Sequence, residues 1–150
     1  MRLLIAPTAF KGSLTPAQVA QAMNDGVDLF CKKYAANFEV DILPLADGGD
    51  GTVESIHMAC GGRVHEVEVL GAIGEPRTAK WLELNDDVAI VELASACGIS
   101  GLEAGDLSPL KAHTRGLGSV IRHAIDTMDS IDPMKELQIV ISLGGSASTD

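Results

Sequence analysis

Aromatic residues are scarce in this 150-residue chain, at 3%, with three Phe, one Tyr and one Trp. Any core must therefore be filled by Leu, Ile, Val and Ala, and an apolar share of 46% is ordinary enough for that. Basic residues are also few, 11 against 21 acidic ones, for a net charge of -10. Such a surface repels nucleic acid and anionic membranes at long range. An anionic ligand would have to be met locally, by backbone N–H groups, a few cations or a divalent metal. Cys31, Cys60 and Cys97 stand far apart with no CxxC pair. That spacing argues against a zinc site or a disulfide framework and fits a reducing cytoplasm. The opening MRLLIAPTAF is broken by Pro7 too early for a secretory signal, and no run approaches membrane-spanning length.

What is present is a rhythm of strands, loops and helices. Leu3 to Ala6 is continuously apolar and ends at Pro7, which predicts a short buried strand. After the loop PTAFKGSLT, Thr15 is placed as an N-cap with Pro16 at the first helical position. Val19, Ala22, Met23, Gly26, Val27 and Phe30 then share one helical face. Phe38 to Leu43 reads as a second strand, and LPLADGGDGT leads into a helix from about Thr52 to Ala59. Strand, helix, strand, helix in this order implies a parallel sheet with crossover helices, in which ligands gather at the carboxyl ends of the strands.

Beyond Gly61 and Gly62 the rhythm changes. Val64 to Leu70, Thr78 to Leu84 and Val88 to Leu93 are strands separated by short turns, which predicts an antiparallel meander. The change of sheet type near residues 70 to 80 suggests two domain parts, 1–75 and 76–150. A helix carrying Leu117, Val120, Ile121, Ala124, Ile125 and Met128 on one face follows, and then a buried strand from Leu137 to Leu143. The chain stops at GGSASTD, a loop that would normally open a helix, so these residues read as the front part of a longer protein.

Four loops at element junctions are rich in glycine and hydroxyls. In the first, Lys11 stands beside Gly12 and Ser13 just before a helix, where it can neutralise phosphate charge; a solvated lysine is the plain alternative. In the second, one Asp would suffice for a cap, and a turn rarely needs Gly48, Gly49 and Gly51 together. The surplus Asp47 beside Asp50 suits Mg²⁺, with the glycines and Thr52 bringing N–H groups toward phosphate oxygens at the helix start. Thr114 to Gly118 and Gly144 to Asp150 are the other two. Glu92, amid the apolar VELASACGIS, is either a paired core carboxylate or a site residue. No Walker A, GxGxxG, HExxH or GxSxG motif occurs, and His57, His65, His113 and His123 lack ligand spacing.

LLIAPTAFKGSLTP, LPLADGGDGT, the run from Gly61 to GEP at 74–76, AIVELASACGI, KAHTRGLGSVI and ISLGGSASTD occur in the order found in bacterial-type glycerate kinases, which the whole chain resembles. Thr8 and Ala9 stand where that family often has Asp and Ser, and Ser148-Thr149 where it often has Thr-Asn. The resemblance implies a flavodoxin-like α/β domain interrupted by a restriction-enzyme-like one. It implies ATP-dependent phosphorylation of D-glycerate, commonly to 2-phosphoglycerate, with Mg²⁺, and it allows a homodimer. On this reading Lys11, Asp47, Asp50 and Asp150 are catalytic candidates, with Asp47 and Asp50 also metal ligands. Ser13, Gly48, Gly49, Gly51, Thr52, Thr114, Gly116, Gly144, Gly145 and Ser146 would contact the nucleotide. The rival reading is a fragment that binds a small anion or nucleotide without turning it over.

Overall fold

The computed structural model describes residues 1–10, 12–129, 134 and 136–149. Lys11 and Asp150, two of the catalytic candidates, lie outside the described residues. The order of elements is β1 (Arg2–Ile5), α1 (Pro16–Tyr34), β2 (Glu39–Ile42), α2 (Thr52–Cys60), β3 (Arg63–Leu70), β4 (Pro76–Asn85), β5 (Val88–Glu92), α3 (Leu93–Cys97), α4 (Arg115–Asp129) and β6 (Gln138–Ser142), with 3-10 turns at Ile99–Gly101 and Ala104–Asp106.

β1 and β2 pair in parallel, with Leu3 opposite Val40 and Ile5 opposite Ile42. The other four strands form a mixed sheet in the order β3-β4-β5-β6. Its first three strands are the expected antiparallel meander, and β6 returns parallel to β5. The fold is thus α/β with a parallel pair at the front and a mixed sheet behind it. The division expected at 75/76 falls in the turn between β3 and β4, which pair from Arg63–Glu83 to Leu70–Pro76 within one sheet. The break between the two sheets lies before β3.

Period-two alternation in β4 and β5 explains how the mixed sheet is covered on both sides. Ala79, Trp81, Ala89 and Val91 share a fully buried cluster with Val120, Ala124 and Met128 of α4 and with α3. Leu82 and Ile90, one residue out of phase, pack instead with Val53 and Ile56 of α2. Trp81 also donates its indole N–H to Nδ1 of His123 at 3.1 Å, and His65, hydrogen-bonded to Glu83 at 2.6 Å, stacks on its ring. These two histidines are the satisfied, partly buried type.

Three expectations change. The helix α1 starts as predicted, with a reciprocal capping box between Thr15 and Gln18 and Pro16 in its first turn. Yet only Pro16, Val19 and Ala20 are buried; Ala22, Met23, Gly26 and Phe30 on the predicted face are exposed. A 19-residue helix runs about 28 Å, whereas a four-residue strand runs about 13 Å, so β1 and β2 cover only its first turns. The strand β1 is not fully buried: only Ile5 is, and Leu4 is 60% exposed. The strand β6 lies at the edge of its sheet, and Val140 and Ile141 are exposed rather than buried. For the two strands a continuous apolar run implies burial on both faces, but the run itself does not say how many neighbours a strand has. No helix among the described residues is long and apolar enough to cross a membrane.

Candidate active site

The two parallel pairs aim their carboxyl ends at one cleft of about 790 Å³. The loop after β1 contributes Phe10, Gly12, Ser13 and Leu14, and the start of α1 adds Thr15 and Gln18. Asp47, Gly49 and Asp50 come from the loop after β2. Ile99 and Ser100 follow α3, which grows directly from β5, and Gly144 and Gly145 follow β6. Four strand ends drawn from two sheets thus meet in one hollow, where an open α/β sheet places its ligands.

Backbone contacts hold these loops together. The N–H of Gly144 donates to the carbonyl of Gly48 at 2.7 Å. A Cβ on Gly144 would lie 2.7 Å from both the Gly48 carbonyl carbon and the Gly49 nitrogen, so this close approach accounts for the glycine. Ile99 N–H donates to the Gly145 carbonyl at 2.9 Å and Ala147 N–H to that of Cys97 at 3.1 Å, joining the β6 loop to the α3 segment.

Each cleft carboxylate is oriented through one oxygen. Asp47 Oδ1 accepts the Gly49 N–H at 2.9 Å, and Asp50 Oδ1 accepts the Ser100 hydroxyl at 2.8 Å. Asp47 and Asp50 are the only charged side chains among the described lining residues, which also include the apolar Phe10, Leu14 and Ile99. Among the described residues no cluster of three His, Cys, Asp or Glu side chains could hold a metal. Two carboxylates, each bound through one oxygen, still suit Mg²⁺, which commonly takes one or two protein carboxylates and completes its shell with water and phosphate oxygens.

The start of α2 differs from expectation. Gly51 precedes it in a left-handed conformation (φ 84°) and offers no side-chain cap. The cap comes from 41 residues away in sequence: Glu92, 5% exposed at the end of β5, accepts Gly51 N–H on Oε1 at 3.2 Å and Val53 N–H on Oε2 at 2.9 Å. Thr52 is buried and gives its hydroxyl to the Gly49 carbonyl at 2.8 Å, so it braces the loop. The anion place at this helix N-terminus is therefore filled by the protein's own carboxylate, and the phosphate contact expected there has no vacant N–H pair at Gly51 and Val53. Of the two readings of Glu92, the structure supports a carboxylate partnered in the core, placed directly behind the cleft loop.

Burial pushes the Glu92 carboxyl above the usual carboxylate range, the Val53 and Gly51 N–H groups pull it back, and the charge of Asp50 pushes it up further. A raised acid binds its proton more tightly in the folded state, so its contribution to stability is full at low pH and declines as pH climbs from about 4.5 through the raised value. The difference in thermal midpoint between wild type and Glu92→Gln is accordingly expected to shift against the wild type as pH rises from 4.5 toward neutrality. Midpoints of both proteins across that range check it; a constant difference contradicts it.

Ser13, Gly49, Gly144 and Gly145 line the cleft as the sequence suggested, and Gly48 and Gly51 shape the loop around it. Three other candidates are placed elsewhere. Gly116 is buried at the start of α4, where a Cβ would sit 2.2 Å from the Leu70 carbonyl oxygen, and Thr114 just before it is not among the cleft's lining residues. Ser146 is turned to the Ser148 backbone, accepting its N–H at 3.1 Å. Sequence reasoning missed Ser100 as the partner of Asp50; a lone serine after a run of small apolar residues carries no local signal of that contact.

The sequence model of the Glycerate kinase family matches residues 3–150. The chain belongs to that family. It is 35% identical over its whole length to a glycerate kinase of Bacillus subtilis (strain 168) and 32% identical to a glycerate 2-kinase of Escherichia coli (strain K12), covering 37% of each. A crystal structure from Salmonella typhimurium LT2, bearing the provisional name glycerate kinase 2, superposes with a TM-score of 0.70 at 36% identity, over all of this chain and 38% of that one. The chain thus spans little more than a third of the length of these relatives.

Proposed function

We propose that the protein of which these residues form a part phosphorylates D-glycerate with ATP, giving phosphoglycerate, with 2-phosphoglycerate as the product. The observation that carries this reading is the convergence of Asp47 and Asp50 with the Ser13 and Gly144–Gly145 loops on one cleft, in a chain that belongs to the glycerate kinase family. Phosphoryl transfer asks little covalent chemistry of a protein; positioning and charge management do most of the work. A glycerate hydroxyl attacks the terminal phosphorus of ATP, the bond to the bridging oxygen breaks, ADP leaves, and the hydroxyl proton passes to a carboxylate or to water.

Asp47 or Asp50 takes one of two jobs on this reading, accepting that proton or holding Mg²⁺, and the other Asp takes the remaining one. Bound there, Mg²⁺ would neutralise charge on the phosphate oxygens. The fixed Oδ1 of each Asp leaves a single oxygen with a defined direction for its task. Hydroxyls of Ser13 and Ser100 suit a polyol acid, and the apolar lining residues Phe10, Leu14 and Ile99 suit a nucleobase. An ATP-dependent enzyme of this kind works in the cytoplasm.

The test is direct. The full-length gene product, supplied with ATP, Mg²⁺ and D-glycerate, is expected to release ADP in step with a phosphoglycerate whose phosphorus NMR signal reports position 2. No ADP above the glycerate-free blank would overturn the reading, and a 3-phosphoglycerate signal would correct the position. Turnover by the 150 residues alone would remove the rival reading of a fragment that only binds.

A further inference from the structure

The start of α2 carries more than a cap. We infer that Glu92 is a positioning residue for the candidate active site, fixing through two backbone N–H groups the first turn of α2 and with it the loop that presents Asp47 and Asp50. The inference rests on the proposed reaction only for its kinetic consequence.

Its geometry is independent of that reaction. Glu92 ends β5, the strand whose Val91 and Ile90 are buried on opposite faces of the mixed sheet, so its backbone is anchored in a strand covered on both sides. Its two carboxylate oxygens divide between Gly51 and Val53, which fixes both the position and the tilt of the helix start. Asp50 immediately precedes Gly51, and Asp47 is bound to Gly49, whose carbonyl in turn holds Thr52. A shift of the first turn therefore moves both cleft carboxylates.

On one side that turn is packed, with Val53 against Leu82 and Ile90 and Thr52 buried; on the other it is not. Glu92, Gly51 and Val53 also border a second hollow of about 310 Å³, with Glu54, His57 and Lys80 around it. Close packing would hold a helix start by contact alone; a hollow gives it room to move. Backbone N–H groups left unpaired there would draw in water and with it disorder.

Gln at position 92 keeps the shape and one acceptor but turns an N–H₂ toward one of the two donors. In full-length Glu92→Gln, amide hydrogen exchange in the peptide spanning 48–56 is expected to quicken at least tenfold while β4 and β5 peptides keep wild-type rates. With MgATP and D-glycerate, kcat is expected to fall by a factor of about 10 to 100 with KM for glycerate within threefold. Should Glu92→Gln not fold, Glu92→Asp, which retains the charge but withdraws it by one methylene, is expected to show the same pattern. Unchanged exchange over 48–56 overturns the inference, as does faster exchange with wild-type kcat, which would leave Glu92 a stabilising group only. If the wild type does not phosphorylate glycerate, the proposed function fails and the inference is decided by a crystal structure of the variant: a 47–51 loop displaced relative to wild type supports it, and an unmoved loop sinks it.

Discussion

Asp47→Asn in the full-length gene product is expected to fold as the wild type does and to lose turnover by a factor of about 10² to 10⁴. The folding half follows from which atom does what. Asp47 is bound to the Gly49 N–H through Oδ1, and an amide oxygen accepts that bond equally well. What the substitution removes is the negative charge and the basicity of the second oxygen. Both proposed jobs of this residue depend on that oxygen, so the loss is in kcat rather than in the fold. The residual rate also separates the two jobs. A lost metal ligand shows as a raised Mg²⁺ requirement, with activity partly restored at high Mg²⁺. A lost base shows as a rate indifferent to Mg²⁺ and stripped of its acid-side pH dependence. Wild-type kcat in Asp47→Asn, with ADP measured directly, removes Asp47 from the site.

The gathering of loops was legible in the sequence because it depends on order alone. Once the runs ending at Ile5 and Ile42 are strands with helices between them, the segments after them must emerge at the same edge. The start of α1 was legible for a similar local reason, since Thr15, Pro16 and Gln18 write a capping box within four residues. Burial was less legible. The apolar residues of β6 and the far half of α1 have the right periodicity, but how much of them is covered depends on what lies alongside, which no local pattern states.

The support of the acidic loop was not legible. Glu92 lies 41 residues from Gly51, and its one trace in the sequence is an ionisable residue where the apolar neighbours demand a partner. That trace is real but unaddressed: a buried carboxylate must find donors, and the sequence does not name them. The expected use of α2 followed from the same gap. A glycine-rich entry to a helix suggests an anion at the N-terminus, and here the anion is Glu92 itself. Within the described residues, the cleft is then an acidic surface with a hydroxyl-bearing rim. Such a surface suits a ligand that brings its own cation and offers hydroxyl groups.

Gly144→Ala is expected to be the most damaging single methyl in the site. The backbone at Gly144 is not in the left-handed region, so the substitution asks nothing new of φ. The added carbon would stand 2.7 Å from the Gly48 carbonyl carbon and the Gly49 nitrogen and 2.8 Å from the Gly48 oxygen. Those are backbone atoms, which cannot rotate aside as the end of a side chain would. The loops after β2 and β6 must part, losing the Gly144–Gly48 hydrogen bond and moving the acidic loop from the opposite wall. Overpacking of this kind costs about 1–3 kcal/mol, and kcat/KM is expected to fall at least tenfold, since the parting is at the carboxylates proposed as catalytic and not at the periphery. Gly105→Ala, where an added Cβ meets nothing within 4 Å, is the matched control and should change stability by less than about 0.5 kcal/mol. Thermal midpoints and kcat/KM of the two variants in the full-length protein check the pair. Equal midpoints and equal rates would mean that the two glycine loops do not touch in solution, and the cleft would have to be rebuilt without that contact.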